Sequence, residues 1–455
     1  VYCVEIADRP FAHAVFPMAI QQGKTTAAAI VGHNLSGLEE TTLRAAADES
    51  PGWKRISITT PLGQTNTVPV LVSAHPQLVA TGNHSLAAAM NVSLPVGVNG
   101  RLAKPDEVHY YSFEAKKNRY YLLEIESDRR DLPLDSVIHV FDSTGKQVNR
   151  GDDGYYTKDA TLHFKAPSDG KFFVSVSDLH NRGGARYIYH LRIEPSGPDF
   201  EIHGKYYYAQ LAPGTRMIWF ARLSRQNGFA GPVEMQVEGL PPGVSFTPVT
   251  IPAGLNQCAV ILSAKADAQI DARLVQLSGK ATIPDADGKP REVIRAARVT
   301  CELQASGGSQ ARWPINTQLV GVTNPLDLFE FEATPREITL RPGEKVEIKV
   351  RVKRSPEFTG PIQLAMPFLY GNSIVEDQLP PGVSMSAASK ARLTEKMVEG
   401  TIILEAATGD NAPKPITRFP IAVMGRISMS FSISTNYASN PIYLTIADAP
   451  ANTEQ

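Results

Sequence analysis

Cysteine is scarce: Cys3, Cys258 and Cys301 are the only three in 455 residues. That excludes a disulfide framework, and their spacing matches no Cys/His metal motif. Cys258 and Cys301 fall within one expected domain. A bridge between them stays open, on condition that their Cα atoms approach within about 7 Å. Cys3 reads as a buried strand residue or as the orphan of an absent partner. No run of about eighteen apolar residues occurs, which excludes a membrane-spanning helix. Neither sign of charge prevails, with 45 Lys and Arg against 46 Asp and Glu, so no overall field draws the chain to nucleic acid or an anionic membrane. Catalytic signatures are missing as well. The chain has no Gly-x-Ser-x-Gly elbow, His-Glu-x-x-His, P-loop, Gly-x-Gly-x-x-Gly or Cys-x-x-Cys-His. The ten histidines are scattered, with no pair at ligand spacing on an expected helix. No residue is therefore assigned a catalytic role.

What is present points to strands. Hydrophobic content of 42 % with 20 % charge fits a folded chain, and 34 Gly with 34 Pro favour many turns over long helices. The length suggests about three or four domains. One stretch occurs twice. Phe200-Glu201, Pro213-Gly214 and Phe229-x-Gly-Pro232 recur, at a constant spacing of 129, as Phe329-Glu330, Pro342-Gly343 and Phe358-x-Gly-Pro361. Leu240-Pro-Pro-Gly-Val-Ser245 recurs as Leu379-Pro-Pro-Gly-Val-Ser384, at a spacing of 139, so the second copy carries an insertion of ten between. Two copies of one domain follow, spanning 197–305 and 312–450, with Ser306-Gly-Gly-Ser309 inside a linker at 306–311 and a tail at 451–455. Lys345-Val-Glu-Ile-Lys-Val-Arg-Val-Lys353 alternates without a break, its four aliphatic residues on one face and five charged residues on the other. Leu-Pro-Pro-Gly suits a turn that ends a strand, because adjacent prolines donate nothing to a ladder and Gly tolerates positive φ.

Upstream, 10–73 sets short apolar runs between turn signals, the pattern of a small β-sandwich. Val15-Phe-Pro17, Gln22-Gly23 and Gly32-x-Asn-Leu35 resemble the IPT/TIG type of immunoglobulin-like domain. After a linker at 74–91 rich in Ala, Asn, His and Ser comes a longer ordered set. Leu94-Pro-Val-x-Val-Asn-Gly-Arg101 leads into Lys104-Pro-x-x-Val-x-Tyr-Tyr-x-Phe113, then Phe141-Asp-x-x-Gly145, Ala166-Pro-x-Asp-Gly170, Phe173-Val-x-Val-x-Asp178 and Tyr189-x-Leu-x-Ile193. This segment, 92–195, resembles a pre-peptidase C-terminal (PPC) domain. The resemblance implies a secreted, jelly-roll-like β-sandwich, appended to enzymes or carried in tandem on surface proteins. It extends to the N-terminus: Tyr2-Cys-Val-Glu-Ile6 is similar to the last PPC strand, so 1–9 is expected to be the closing strand of a preceding copy. The repeated pair resembles the bacterial immunoglobulin-like repeats that follow PPC domains.

Four features invite a functional reading. The acidic loop Arg150-Gly-Asp-Asp-Gly-Tyr-Tyr-Thr-Lys-Asp159 offers calcium the carboxylates of Asp152, Asp153 and Asp159. It lacks the EF-hand pattern, so a solvated turn whose carboxylates cap backbone N–H groups is favoured. Tyr155 and Tyr156, in the same loop, are the tyrosines not explained as core residues of a strand, and flat rings suit a sugar or protein ligand. Lys349, Arg351, Lys353 and Arg354 form a basic stripe, read as a solvated strand face in preference to a polyanion site. Finally, some PPC domains bind calcium through carboxylates before and within the domain. Here those regions read Thr81-Gly-Asn-His84 and Glu107-Val-His109-Tyr110, and several of the carboxylates are missing.

The expected fold class is all-β, tandem antiparallel β-sandwiches of Ig-like and jelly-roll-like type, four domains in a string. The expected role is non-catalytic: part of a secreted or surface-attached bacterial protein, structural or adhesive, presenting loops to protein or polysaccharide, with higher-order assembly left open. No cofactor is expected beyond the calcium the acidic loop suggests. The alternatives are the accessory substrate-binding region of a secreted hydrolase and a non-catalytic subunit of an envelope complex. Calcium is expected to leave thermal stability unchanged at the Glu107 region. A calcium stabilisation abolished by Glu107→Gln would contradict this.

Overall fold

Where the sequence alternates, one side chain in two turns inward and the chain forms a half-buried strand. Val68, Val70 and Val72 do so on one strand, and Ile348, Val350 and Val352 on another. The computed structural model describes Ile6 and residues 8–448, apart from 155–156, 285–288, 305–309, 325–326, 371–372 and 429–433. Among the described residues the chain is all-β, with two 3₁₀ turns, Asp128–Arg130 and Gly409–Asn411, and no α-helix. It divides into two units, Val1–Gly197 and Pro198–Gln455. The closing strand expected at 1–9 lies largely outside the described residues; Ile6 is exposed.

The first unit contains two sandwiches. In the smaller, Phe11–Phe16, Thr25–His33 and Glu40–Arg44 face Ala19–Gln21, Val68–Ser73 and Gly52–Ile56 across a core that includes Val15, Ile20, Leu43 and Val70. The larger has two five-stranded sheets. One runs Met90–Asn91, His109–Ala115, Gly170–Asp178, Ser136–Phe141, Gln147–Gly151. The other runs Thr161–Lys165, Tyr120–Glu126, Ile188–Ser196, Val96–Arg101, Gln77–Val79. Residues 74–91, read from sequence as a linker, thus supply an edge strand to each sheet. Both pair parallel with their neighbours, and at two or three residues they are too short to show alternation.

The two sandwiches are joined by side chains. Asn99 Oδ1 accepts from the backbone N–H groups of Met18 (3.0 Å) and Ala19 (2.8 Å), while its Nδ2 donates to the carbonyls of Ala19 and Leu78. Ala14, Met18, Leu132 and Ile188 form a small apolar cluster beside it, and the Arg130 guanidinium lies 4.2 Å over the Trp53 ring.

In the second unit the repeat register reappears strand for strand. Asp199–Lys205 and Leu328–Thr334 start 129 apart, as do Tyr208–Leu211 and Glu337–Leu340; Val244–Phe246 and Val383–Met385 start 139 apart. Both copies order one sheet alike: Asp199–Lys205, Arg216–Gln226, Gln257–Ala264, Val244–Phe246 in the first, and Leu328–Thr334, Lys345–Arg354, Glu399–Ala406, Val383–Met385 in the second. Both Leu-Pro-Pro-Gly segments close the same turn. Val244 N–H donates to Pro241 and Val383 N–H to Pro380, each at 3.0 Å, with Gly243 and Gly382 at φ near +80° and +86°. One paired motif diverges. A bulge between Leu328 and Glu330 turns Phe329 outward and puts Leu328 into the core, whereas at the matching position of the first copy Phe200 is buried.

The boundary between copies also differs from the expected 306–311 linker. Arg298–Gln304 and Gln310–Ile315 pair antiparallel with each other, and Gln318–Val322 pairs with Tyr208–Leu211 and Asp271–Pro284 of the first copy. The first copy therefore continues to Val322, and the second begins at Leu328. The Gly/Ser signal stands between hairpin partners, which composition alone does not distinguish from a linker.

Met217-Ile-Trp-Phe-Ala221 and Cys258-Ala-Val-Ile-Leu262 are unbroken apolar runs, the mark of strands covered on both faces. Met217, Trp219, Cys258, Val260 and Leu262 face the copy's own core. Ile218, Phe220, Ala259 and Ile261 face the other way, onto Ala422, Met424 and Ala438 of the second copy, with Tyr206 and Phe368 alongside. At the same places the second copy has Glu347 and Lys349, both exposed. Ile218→Glu with Phe220→Lys transfers those residues into the contact. Calorimetry is expected to show the second unit's transition lowered by several degrees or split in two, with Glu347→Ala/Lys349→Ala near neutral. An unchanged profile for the first pair would show that this face contributes no stability.

Candidate functional site

Three side chains of different origin meet at one corner of the larger sandwich in the first unit. Asn83, fully buried, is held to the adjoining strand at both backbone and side chain: Tyr110 N–H donates to its carbonyl (2.7 Å) and its Nδ2 donates to the Tyr110 carbonyl (3.1 Å). That places the next residue, His84, beside the start of the His109–Ala115 strand. On extended backbone, Glu107, His109 and Tyr111 point to the same side. Glu107 Oε1 stands 3.0 Å from His109 Nε2 and 3.5 Å from His84 Nδ1, while Oε2 accepts the Lys104 N–H at 3.0 Å. His109 is buried, the Glu107 side chain is 7 % exposed, and His84 is exposed.

Behind them runs a buried chain of hydroxyls. His109 Nδ1 lies 2.7 Å from the Tyr189 hydroxyl, which lies 2.6 Å from that of Tyr111. Tyr189 comes from the opposite sheet, and Gly100 makes room for it: a Cβ there would stand 2.1 Å from the ring. Burial raises both phenol pKa values and lowers that of His109 against the pull of Glu107. Burial pushes the Glu107 carboxyl up, but hydrogen bonds from His109 and the Lys104 amide outweigh it and leave it below the usual range. Among the described residues these are the His, Cys, Asp and Glu side chains grouped as three donors within 4.8 Å of one another. Sequence reading missed the group because its two histidines are far apart in the chain, one on a connecting segment and one on a strand, outside any helical ligand spacing.

The acidic loop does not form a donor set. Asp159 is fully buried and faces away from the loop: its carboxylate accepts the N–H groups of Ser127, Asp128 and Arg129 and the Arg129 Nε, capping the Asp128–Arg130 turn. Asp152 pairs with Arg150 at 2.8 Å, and Asp153 is exposed, its pKa raised by burial and by the charges of Asp152 and Asp135. The calcium reading for Asp152, Asp153 and Asp159 is therefore corrected, because the third carboxylate already has four donors. Tyr155 and Tyr156 lie outside the described residues.

The Cys258–Cys301 bridge is corrected too: both thiols are free. Arg216–Gln226 and Asp199–Lys205 stand between their strands, a separation of about 14 Å at the usual strand spacing. Cys258 faces the core, and burial holds its thiol protonated. The basic stripe loses one member. Arg354 folds over the Phe358 ring at 5.3 Å and donates to the carbonyls of Gly360 (2.6 Å), Thr394 and Met397. Arg225, its counterpart in the first copy, makes the same clasp over Phe229 with the carbonyls of Gly231, Pro252 and Leu255. Lys353 and Arg351 face Glu330 and Glu332 across the ladder, so the rest is a mixed-charge strand face.

A shallow cleft lies between the two sandwiches of the first unit, lined by Trp53, Gln77, Glu124, His190 and Arg192. His190 Nε2 stands 3.0 Å from Gln77 Oε1. Burial and the Arg192 charge, against Glu124, push its pKa down to about 4.

The chain matches no protein-family model, and no curated protein sequence matches it. Solved structures with which it aligns include domains 5-6 of the S-layer protein SbsC, at 12 % identity and a TM-score of 0.20 over 56 % of this chain and 100 % of that one. The I-band fragment I67-I69 from titin aligns at 10 % identity and a TM-score of 0.14, over 56 % of this chain and 66 % of that one. The likeness reaches no further than the class of fold. No helix among the described residues is long and apolar enough to cross a membrane.

His190 gives a pH signature. Its folded pKa lies below the unfolded value, so its contribution is complete above about pH 6.5 and is lost as pH falls toward 4. The loss is on the order of 3 kcal/mol. Denaturant titrations of wild type and His190→Gln across this window are expected to show a flatter acid limb in the variant; parallel limbs would refute the assignment.

Proposed function

We propose that this chain is a non-catalytic structural segment of an extracellular or cell-surface protein, spacing and orienting binding surfaces carried on its loops. The observation that carries this reading is how neighbouring sandwiches are joined within each unit. Asn99 spans one junction, its Oδ1 accepting from the Met18 and Ala19 N–H groups and its Nδ2 donating to the Ala19 carbonyl. In the second unit, the outer face of the Arg216–Gln226 strand is buried on the following copy. Domains joined this way hold their mutual orientation, which suits a spacer or scaffold better than tethered modules that move independently. The PPC resemblance of 92–195 supports an extracytoplasmic setting. The absence of a disulfide framework is compatible with it, since the cores of these sandwiches are large enough to fold without cross-links.

The test is topological. In cells producing the parent protein, an impermeant amine-reactive label or an antibody to the second unit is expected to reach the chain without lysis. Labelling only after the cytoplasmic membrane is opened would overturn the reading.

A further inference from the structure

We infer that His84, Glu107 and His109 form a binding site for a zinc-class divalent cation. The geometry is the first support. Zinc bonds to His nitrogen and carboxylate oxygen are about 2.0–2.2 Å long, so the edges of its coordination tetrahedron are about 3.3–3.5 Å. Two of the three edges here measure 3.0 and 3.5 Å, and all three donor atoms lie within 4.8 Å of one another. His84 is exposed, so a rotation about its side-chain bonds closes the remaining edge without moving the strand. Its exposure also leaves the fourth position to water.

The second support is the buried chain behind His109. Suppose the protons run from Tyr111 to Tyr189 to His109 Nδ1, with Nε2–H donating to Glu107. Asn83 Oδ1, buried beside the Tyr111 hydroxyl, then has no donor, and it has no partner at hydrogen-bonding geometry. Suppose instead that they run from His109 Nδ1–H to Tyr189, to Tyr111, to Asn83. The Tyr111 proton then points toward Asn83 Oδ1, the buried acceptor here that otherwise has no donor, and the Nε2 lone pair is directed at Glu107 Oε1. A cation between them, a metal ion or a proton, relieves that repulsion. A metal there also uses the third donor, His84, which a proton on Nε2 would leave idle. A ligating histidine whose other nitrogen donates to a fixed partner is the usual arrangement at such centres.

The donor set selects the metal. Calcium takes six to eight oxygens, and this corner offers one carboxylate; two imidazoles and a carboxylate suit zinc and its late-transition neighbours. The bound ion would clip residues 80–89, the span between the two edge strands Gln77–Val79 and Met90–Asn91, onto the start of the His109–Ala115 strand.

Thermal unfolding of the chelator-stripped full chain, with Zn²⁺ alone or Ca²⁺ alone, tests this. Zn²⁺ is expected to raise the first unit's melting temperature by an amount that grows with the logarithm of its concentration. His84→Ala, an exposed substitution compatible with the fold, is expected to abolish that shift, and Glu107→Gln to weaken zinc binding at least about tenfold. Co²⁺ in place of Zn²⁺ should give the visible bands of four- or five-coordinate cobalt in wild type and not in His84→Ala. Three outcomes would overturn the assignment: no shift with Zn²⁺, a Zn²⁺ shift retained in His84→Ala, or stabilisation by Ca²⁺ and not by Zn²⁺.

Discussion

The second unit depends on a strand buried on both faces. In an isolated sandwich, the outer face of the Arg216–Gln226 strand would meet water, as that of Lys345–Arg354 does. Instead Ile218 and Phe220 are 2 % and 1 % exposed. Burying two such side chains stabilises by about 1.5–3 kcal/mol each on area arguments, and leaving them exposed would make an apolar patch prone to association. The first repeat therefore requires the second. The second, with charge at the same two positions, does not require a third on that face. Two copies of one fold have diverged at the residues that decide which sheet face is covered.

Other positions have stayed alike because the fold constrains them. Arg225 and Arg354 each lie over a phenylalanine one turn further along the chain and donate to turn carbonyls that no strand satisfies. A lysine has one point charge where this turn needs a planar fork reaching several carbonyls. Burial lowers the pKa of both guanidiniums, as expected for cations held by carbonyls without a carboxylate partner. The Phe-x-Gly-Pro punctuation that reveals the repeat is the other half of this clasp. Its arginine was equally legible at the same spacing, but in the second copy it sits at the end of a run of lysines and arginines and so reads as one more surface charge.

How far the sequence could be read followed the length and purity of each pattern. Long alternating strands such as Lys345–Arg354 announce their faces, and the repeat spacing carried over to strand ends almost without slippage. Two- and three-residue edge strands such as Met90–Asn91 and Gln77–Val79 do not, because two residues cannot display a period. The bulge at Phe329 defeats alignment for a related reason: one extra residue exchanges inside for outside while the motif stays in register. Asp159 shows the limit for single residues. Its neighbours suggest an acidic surface loop, and only the fold reveals that it points at three backbone amides far upstream, at the Asp128–Arg130 turn.

The candidate site was hidden for the same reason that it exists. Segment 74–91 is rich in Ala and small polar residues and lacks a period, yet it must travel from the edge of one sheet to the edge of the other. Its backbone groups need partners on the way, and Asn83 finds them in Tyr110. That pairing fixes where His84 lies. Glu107 and His109 are placed independently, by the alternation of the strand they lead into. A cluster built from a crossing segment and a strand start has no sequence spacing of its own, since the distance between its parts depends on the length of the intervening strand Val96–Arg101 and its turns. Such sites become legible only once the edges of the sheets are known.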